Sequence, residues 1–194
     1  MIFSLLKRIK MKDNNAYIVV AQTHDYVLER IKRQRDPNSK NHVIYTTNPG
    51  DVLGEVLTNP VDIVVTGQVF YQSDLRSLDD FLGAILGGMD EMARHYQPPK
   101  SGPDTGSQLS EEIYKINPGI LVFRYSLAPP ERGKIVGDIR KGGGHEDLLE
   151  FIDSVELSDI LRTRDWKRLR ETFPEIKFYD GWEEQFQKNN DGKN

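Results

Sequence analysis

The sequence of 194 residues predicts an α/β protein with an open, mostly parallel β-sheet that helices cover on both faces. Three observations support this. Short runs of apolar and β-branched residues recur, as is typical of strands buried on both faces. Stretches with apolar residues at helical spacing alternate with these runs. Most of the connections are long enough for the right-handed crossovers that join parallel strands.

The first third of the chain predicts three strands and two helices. The first helix begins near Asp25 and turns Leu28 and Ile31 to one face. The second begins at Pro49 and ends before Pro60, because the residue before a proline disfavours the helical conformation. The strands are expected over residues 16–21, 42–46 and 61–66.

The regular alternation stops at residues 68–107, a stretch much longer than the usual connection of 2–6 residues in an α/β unit. Its apolar residues predict a helix over 78–96, followed by a linker rich in proline and glycine at 97–106. The apolar stripe of this helix fits either a core face or a partner surface. We interpret the stretch as a helical insertion after strand three.

Alternation resumes in the second half of the chain. Strand five follows strand four after only residues 126–133, which is too short for a full helix with its turns. The aromatic residues Phe178, Tyr179 and Trp182 are expected to fold back on the sheet. The predicted strands cover residues 120–125 and 134–140, and the predicted helices cover 107–116, 145–154, 157–161 and 165–170.

Five buried strands in this arrangement favour a flavodoxin-like three-layer sandwich with the parallel strand order 2-1-3-4-5. We divide the chain into three parts and treat the last as a helical tail. They are an extension at residues 1–15, a domain at 16–154 that contains the insertion 68–107, and a tail at 155–194.

The composition excludes several classes of function. The net charge is -4 and the pI is about 5.6, so no basic face for nucleic acid is indicated. Cysteine is absent, and the four histidines are scattered without metal-ligand spacing, so we expect neither a metal nor a cofactor. The first ten residues run from apolar to basic, the reverse of a secretory signal, and no apolar stretch reaches membrane-spanning length. A cytoplasmic protein without membrane contact is expected.

Four local patterns together resemble the receiver domain of bacterial response regulators, over residues 16–154. The strand 61–67 resembles the one that ends in the phosphoacceptor aspartate, and 106–118 resembles the following helix and turn. The strand 122–126 ends in Ser126, where the family has its Ser/Thr switch. The strand 138–141 ends in Lys141, where the family has its phosphate-contacting lysine.

The departures from the family pattern determine the functional prediction. The resemblance places Ala21 and Gln22 at the acidic pair that holds Mg²⁺, and Gly67 at the acceptor aspartate. Alanine offers no ligand, glutamine only a neutral carbonyl, and glycine cannot be phosphorylated. The resemblance therefore implies a degenerate, pseudo-receiver-like signalling module. It would recognise a protein partner in a signalling pathway, without aspartyl phosphorylation and without catalysis.

Two alternatives stay open. In the first, the loop from Lys141 through Gly142, Gly143 and Gly144 to His145 binds a small anion or a nucleotide. Glycine N–H groups at a helix N-terminus and a lysine charge favour anions, although the same glycines also suit a structural turn. In the second, an enzyme uses the cleft near Ser126, Lys141 and His145. A serine and a lysine without an oxyanion hole give that interpretation little support.

Overall fold

The computed structural model describes residues 15–67, 105–126, 134–141 and 144–187. The predicted helix 78–96 and residues 97–104 of its linker lie outside these residues, as do Gly142 and Gly143. The last two residues of the predicted linker, 105–106, belong instead to the first turn of a helix. The described strands are β1 (Tyr17–Ala21), β2 (His42–Thr46), β3 (Ile63–Thr66), β4 (Leu121–Ser126), β5 (Gly137–Arg140) and β6 (Lys177–Phe178). The described helices are α1 (Asp25–Gln34), α2 (Pro49–Thr58), α3 (Thr105–Ile116), α4 (Glu146–Asp153), α5 (Leu157–Thr163), α6 (Trp166–Thr172) and α7 (Glu184–Gln187).

The strands form one sheet of order β2-β1-β3-β4-β5-β6. The first five are parallel, so the predicted order 2-1-3-4-5 is confirmed. The sixth strand is a correction to the predicted five. It comes from the C-terminal tail and pairs antiparallel with β5, through Gly137 opposite Phe178 and Asp138 opposite Lys177. Two residues are too few to show a strand periodicity, which is why the sequence pattern does not predict β6.

Helices cover both faces of the sheet, because side chains alternate along each strand. On one face Ile18, Val65 and Phe123 pack with α1, α4 and the tail. On the other face Val19, Val64 and Val122 pack with α2 and α3. The predicted three-layer sandwich is therefore confirmed in the described part of the chain.

Local sequence signals explain why the predicted bounds of helix α2 agree with the structure. Helix α2 has proline at its first position, and the Asn48 side chain accepts a hydrogen bond from the Gly50 N–H at 2.8 Å.

Strand β3 begins two residues later than predicted. The Asp62 carboxylate accepts the Tyr17 N–H at 2.9 Å, and the Val61 N–H bonds back to the Asn59 carbonyl at 2.9 Å. These bonds make residues 61–62 the entry to the strand.

The tail helices α5, α6 and α7 pack on the face that α1 and α4 cover, whereas β6 extends the sheet beside β5. Trp182 is 1% exposed, which confirms that it folds back on the sheet. Its ring lies 5.3 Å from that of Trp166, and the Arg170 guanidinium lies 5.0 Å from the Phe178 ring. The tail side chains that join this core are Leu157, Ile160, Leu169, Phe173, Ile176, Trp182 and Phe186.

Candidate functional site

The sheet topology brings the predicted site residues to one edge of the molecule. β1, β3, β4 and β5 are adjacent and parallel, so their carboxyl ends meet at the same edge. Ala21 ends β1 opposite Thr66, and Gly67 follows at once. Ser126 ends β4 opposite Arg140, and Lys141 comes next. The residue positions that the receiver resemblance singles out are thus gathered at this edge.

At the position that the resemblance assigns to the acceptor aspartate, the Gly67 N–H donates to the Ala21 carbonyl at 2.9 Å. Gln22 is 3% exposed and lies beside this glycine. A Cβ atom added at Gly67 would lie 3.3 Å from Gln22 Oε1, tighter than most real contacts. Among the described residues, Gln22 Nε2 has no hydrogen-bond partner. The glutamine amide therefore occupies the space next to the position where a reactive side chain would begin.

Gly106, in the first turn of α3, closes the same position from the other side. A Cβ atom there would collide with the main-chain carbonyl oxygen of Gly67, and the Thr66 hydroxyl would lie 3.4 Å away. The Thr66 hydroxyl donates to that carbonyl at 3.1 Å. The close approach of two main-chain segments requires glycine at residue 106. The patterns at 61–67 and 106–118 are therefore in direct contact.

Gly106→Ala is expected to lower the free energy of unfolding by about 1–3 kcal/mol, because the methyl group must displace a main-chain carbonyl. Gly54→Ala is the matched control. Residue 54 lies inside α2, and an added Cβ meets no atom within 4 Å. The control should gain about 0.5–1 kcal/mol from helix propensity. Urea denaturation measures both, and equal effects in the two variants would contradict the close packing of Gly106 against Gly67.

The Lys141 side chain contacts a residue of one face of the sheet, Tyr125. Its ammonium nitrogen is 5.7 Å from the centre of the Tyr125 ring, a cation–π distance. Tyr125 is 1% exposed and belongs to the core face that α1 and α4 cover. The ammonium group is thus directed towards the space near α1 and α4.

His145 forms the inner part of this space. It precedes α4 in the left-handed conformation, with a φ of 69°, and is 7% exposed. Its Nδ1 atom lies 2.5 Å from the Tyr125 hydroxyl, with which it shares a hydrogen bond. Burial lowers the pKa of His145, and the charges of Arg30 and Lys141 lower it further. Burial and the carboxylates of Asp147 and Glu146 raise the pKa of Tyr125 to about 12. The lowered pKa of His145 and the raised pKa of Tyr125 favour a neutral histidine and a protonated tyrosine as the partners in this hydrogen bond.

This pair predicts a pH dependence of stability. In the folded state the pKa of His145 lies below its ordinary value of 6.5, so the unfolded chain binds more protons below that pH. The stability that depends on a neutral His145 is fully present above pH 6.5, and it is lost progressively as the pH falls towards the lowered pKa of the folded state. Urea melts between pH 7.5 and 5.5 should show stability falling with pH. The slope should be shallower in His145→Gln, and an unchanged slope in that variant would contradict the assignment.

The glycine loop before α4 already contains an internal anion. The Gly144 N–H donates to Glu146 Oε2 at 3.1 Å, and the carboxylate fills the space beside this glycine. A ligand that used this N–H group would have to displace Glu146. Gly142 and Gly143, the other glycines of the predicted loop, lie outside the described residues.

A buried ion pair is the main feature of this region that the sequence patterns did not predict. The Arg124 side chain is fully buried on β4, and its Nε and Nη2 atoms each lie 2.8 Å from an Asp138 carboxylate oxygen on β5. The Tyr179 hydroxyl, just after β6, donates to the same carboxylate. An arginine inside an apolar strand was the available signal, but its partner depends on the strand register, which places Arg124 opposite Asp138.

The described ranges hold no group of three or more His, Asp or Glu side chains suited to a metal ion. No helix in these ranges is long and apolar enough to cross a membrane.

Comparisons with known proteins give structural matches only. No family model matches the sequence, and no curated protein matches it significantly. The chain is similar to a signal receiver domain of an HD domain-containing protein from Pseudomonas fluorescens Pf-5. The identity is 14% and the TM-score 0.47, over 75% of this chain and 98% of that one. It is also similar to a CheY-like response regulator receiver domain protein from Methanospirillum hungatei JF-1. There the identity is 14% and the TM-score 0.48, over 77% of this chain and 98% of that one.

A third match is the RcsB response regulator of Salmonella typhimurium, at 13% identity and a TM-score of 0.47. It covers 88% of this chain and 65% of that chain. All three proteins are named as receiver domains or response regulators.

Proposed function

We propose that the chain is a receiver-like regulatory module that acts by protein–protein recognition and is not phosphorylated on aspartate. The observation that carries the proposal is the packing at Gly67. The position has no side chain, the Gln22 amide lies on one side of it, and Gly106 contacts its carbonyl on the other. A carboxylate nucleophile and a divalent cation both need space and oxygen ligands there. The residues at this position supply no carboxylate, and their only oxygen atoms belong to neutral carbonyl groups.

The proposal includes the absence of catalysis. Phosphoryl transfer depends on positioning and on charge neutralisation by a metal ion. Ala21 and Gln22 replace the two acidic residues that the receiver pattern has at the end of the first strand. The fold would then serve as a scaffold whose surface a protein partner binds in a single conformational state. Recognition of that partner would be constitutive, because no phosphorylation would switch it.

The test uses the full chain with acetyl phosphate and Mg²⁺. We expect no hydroxylamine-labile phosphate by intact-mass spectrometry, because residues 21, 22 and 67 provide neither ligands nor nucleophile. A receiver domain that retains its aspartate serves as the positive control. A stoichiometric, hydroxylamine-labile phosphate near residue 67 would overturn the proposal.

The recognition half of the proposal needs a separate measurement. Partners captured from native lysate should be the same, in the same yield, with and without the phosphodonor. Capture that changes on addition of acetyl phosphate would show that the module responds to phosphorylation. Capture of no specific partner, judged against a heat-denatured bait, would argue against recognition as its function.

A further inference from the structure

The outer side of β2 has no neighbouring strand among the described residues, because β2 is the first strand in the order of the sheet. On its inner side the His42 N–H donates to the Ala16 carbonyl at 2.9 Å, just before β1. Along a parallel strand the backbone groups of successive residues point to opposite sides. The N–H and C=O groups of Val43 and Tyr45 therefore point away from β1, towards the outer side.

The two outer strands of the sheet differ in the features that limit pairing with another chain. β6 has only two residues and begins with Lys177. Short edge strands and lysine side chains both discourage such pairing. β2 has five residues and contains no lysine, no carboxylate and no proline. Its central residues Val43, Ile44 and Tyr45 are half-buried, so part of their apolar surface stays accessible.

Opposite charges lie at the two ends of β2. Lys40 is exposed and comes just before the strand. Asp51 is exposed, and its carboxylate accepts a hydrogen bond from the Thr46 hydroxyl at 3.0 Å, which places it at the end of the strand. A parallel copy of β2 would bring like charges together. An antiparallel copy would bring Lys40 of each protomer towards Asp51 of the other, so the strand is self-complementary about a two-fold axis.

We propose that two copies of this chain pair antiparallel through β2, about a two-fold axis at Ile44, to form one continuous sheet. Val43 of one protomer exchanges backbone hydrogen bonds with Tyr45 of the second, and the axis repeats the exchange. Ile44 meets its own counterpart on the face that α2 covers, and Val43 meets Tyr45 on the face that α1 covers. The pairing goes beyond the proposed function, since Gly67 follows β3, which β1 separates from β2.

The test is sedimentation velocity of the full chain from micromolar to hundreds of micromolar concentration. We expect a concentration-dependent shift from monomer to dimer. Val43→Pro should abolish the dimer, because proline removes an outward N–H group and its ring blocks the edge. The bonds between β2 and β1 do not use this N–H group, and proline is tolerated at such positions of edge strands.

Charge variants test the antiparallel register. Lys40→Glu and Asp51→Lys should each weaken dimerisation about tenfold, because each places like charges at both ends of the paired strands. An equimolar mixture of the two variants should dimerise again, since opposite charges meet at both ends of the mixed pair. Lys177→Glu is the matched control, because it makes the same change at an exposed residue of β6, on the opposite edge of the sheet.

A full chain that stays monomeric at hundreds of micromolar would overturn the proposal, even if β2 then paired with an extended segment of a different protein. A dimer that Lys177→Glu weakens as much as Lys40→Glu would place the interface elsewhere, and so would a dimer that survives in Val43→Pro. A mixture of the charge variants that forms no more dimer than either variant alone would contradict the register. Melting curves show which variants are folded, and the exposed charge variants decide the matter if Val43→Pro is not.

Discussion

A chain truncated after residue 154 is expected to lose the cooperative unfolding transition of the full protein. The described part of the tail contributes seven buried apolar side chains to the core on the α1 and α4 face, among them Leu169, Phe173 and Trp182. Complete burial of one such side chain stabilises a fold by about 1.5–3 kcal/mol. Their summed contribution of about 10 kcal/mol or more is comparable with the roughly 5–15 kcal/mol that holds a typical domain folded.

The truncation also removes β6, which pairs with β5 along one edge of the sheet. Gly137 is required at that edge, since an added Cβ would lie 2.8 Å from the Lys177 carbonyl oxygen. Loss of this strand exposes the edge of β5 and the Arg124–Asp138 ion pair next to it. Exposed edges of this kind promote association between chains. We therefore expect aggregation as well as lost stability.

Thermal melts followed by near-ultraviolet circular dichroism are the appropriate measurement. A chain that ends at residue 187 is the matched control, because it keeps all the described tail elements. It should melt as the full chain does. A cooperative melt of the 154-residue chain near the temperature of the parent would show that the tail is a separate unit, as the predicted boundary between residues 154 and 155 implies.

The elements that could be predicted from sequence are those with strong local signals. Helix α2 begins at a proline after an asparagine cap and ends before Asn59 and Pro60, and its bounds agree with the structure. β2 also agrees, because polar turn residues precede it and Asn48 and Pro49 follow it. The parallel order followed from buried strands that alternate with helices. None of these inferences needs contacts between residues distant in sequence.

The parts that could not be predicted depend on such contacts. The need for glycine at residue 106 arises from its approach to the carbonyl of Gly67, 39 positions earlier. β6 has too few residues for a pattern, and its position depends on Gly137 and on the packing of Trp182. No local signal in a single sequence carries this information.

The candidate site shows the same division. Lys141 and His145 were predicted from a motif in one loop. Tyr125 and Arg30 lie in other elements, and only the folded chain shows their action on His145. Gly144 belonged to the loop given as a possible anion site, and in the structure its N–H donates to Glu146, a carboxylate two residues further on. The sequence placed these residues at one edge of the sheet, and tertiary structure determines which groups face one another there.

The Arg124–Asp138 pair gives the second large expected effect. Asp138→Asn keeps the shape of the side chain and removes its charge. It leaves the Arg124 guanidinium, whose side chain is fully buried, without a counter-charge. Removing one partner of a buried ion pair costs about 3–5 kcal/mol, because the remaining charge stays desolvated. Within the described residues Arg124 Nη1 has no hydrogen-bond partner, so the guanidinium has little to compensate the loss.

A double-mutant cycle separates the value of the pair from the cost of an orphaned charge. Arg124→Met combined with Asp138→Asn removes both charges, and we expect it to be more stable than Asp138→Asn alone by at least about 2 kcal/mol. Tyr179→Phe tests the hydroxyl that donates to the same carboxylate and should cost about 1 kcal/mol. Urea denaturation with constant m-values provides all the free energies. If Asp138→Asn lowers stability by less than 1 kcal/mol, water or residues outside the described ranges must compensate Arg124, and the pair would not be a principal support of the β4–β5 edge.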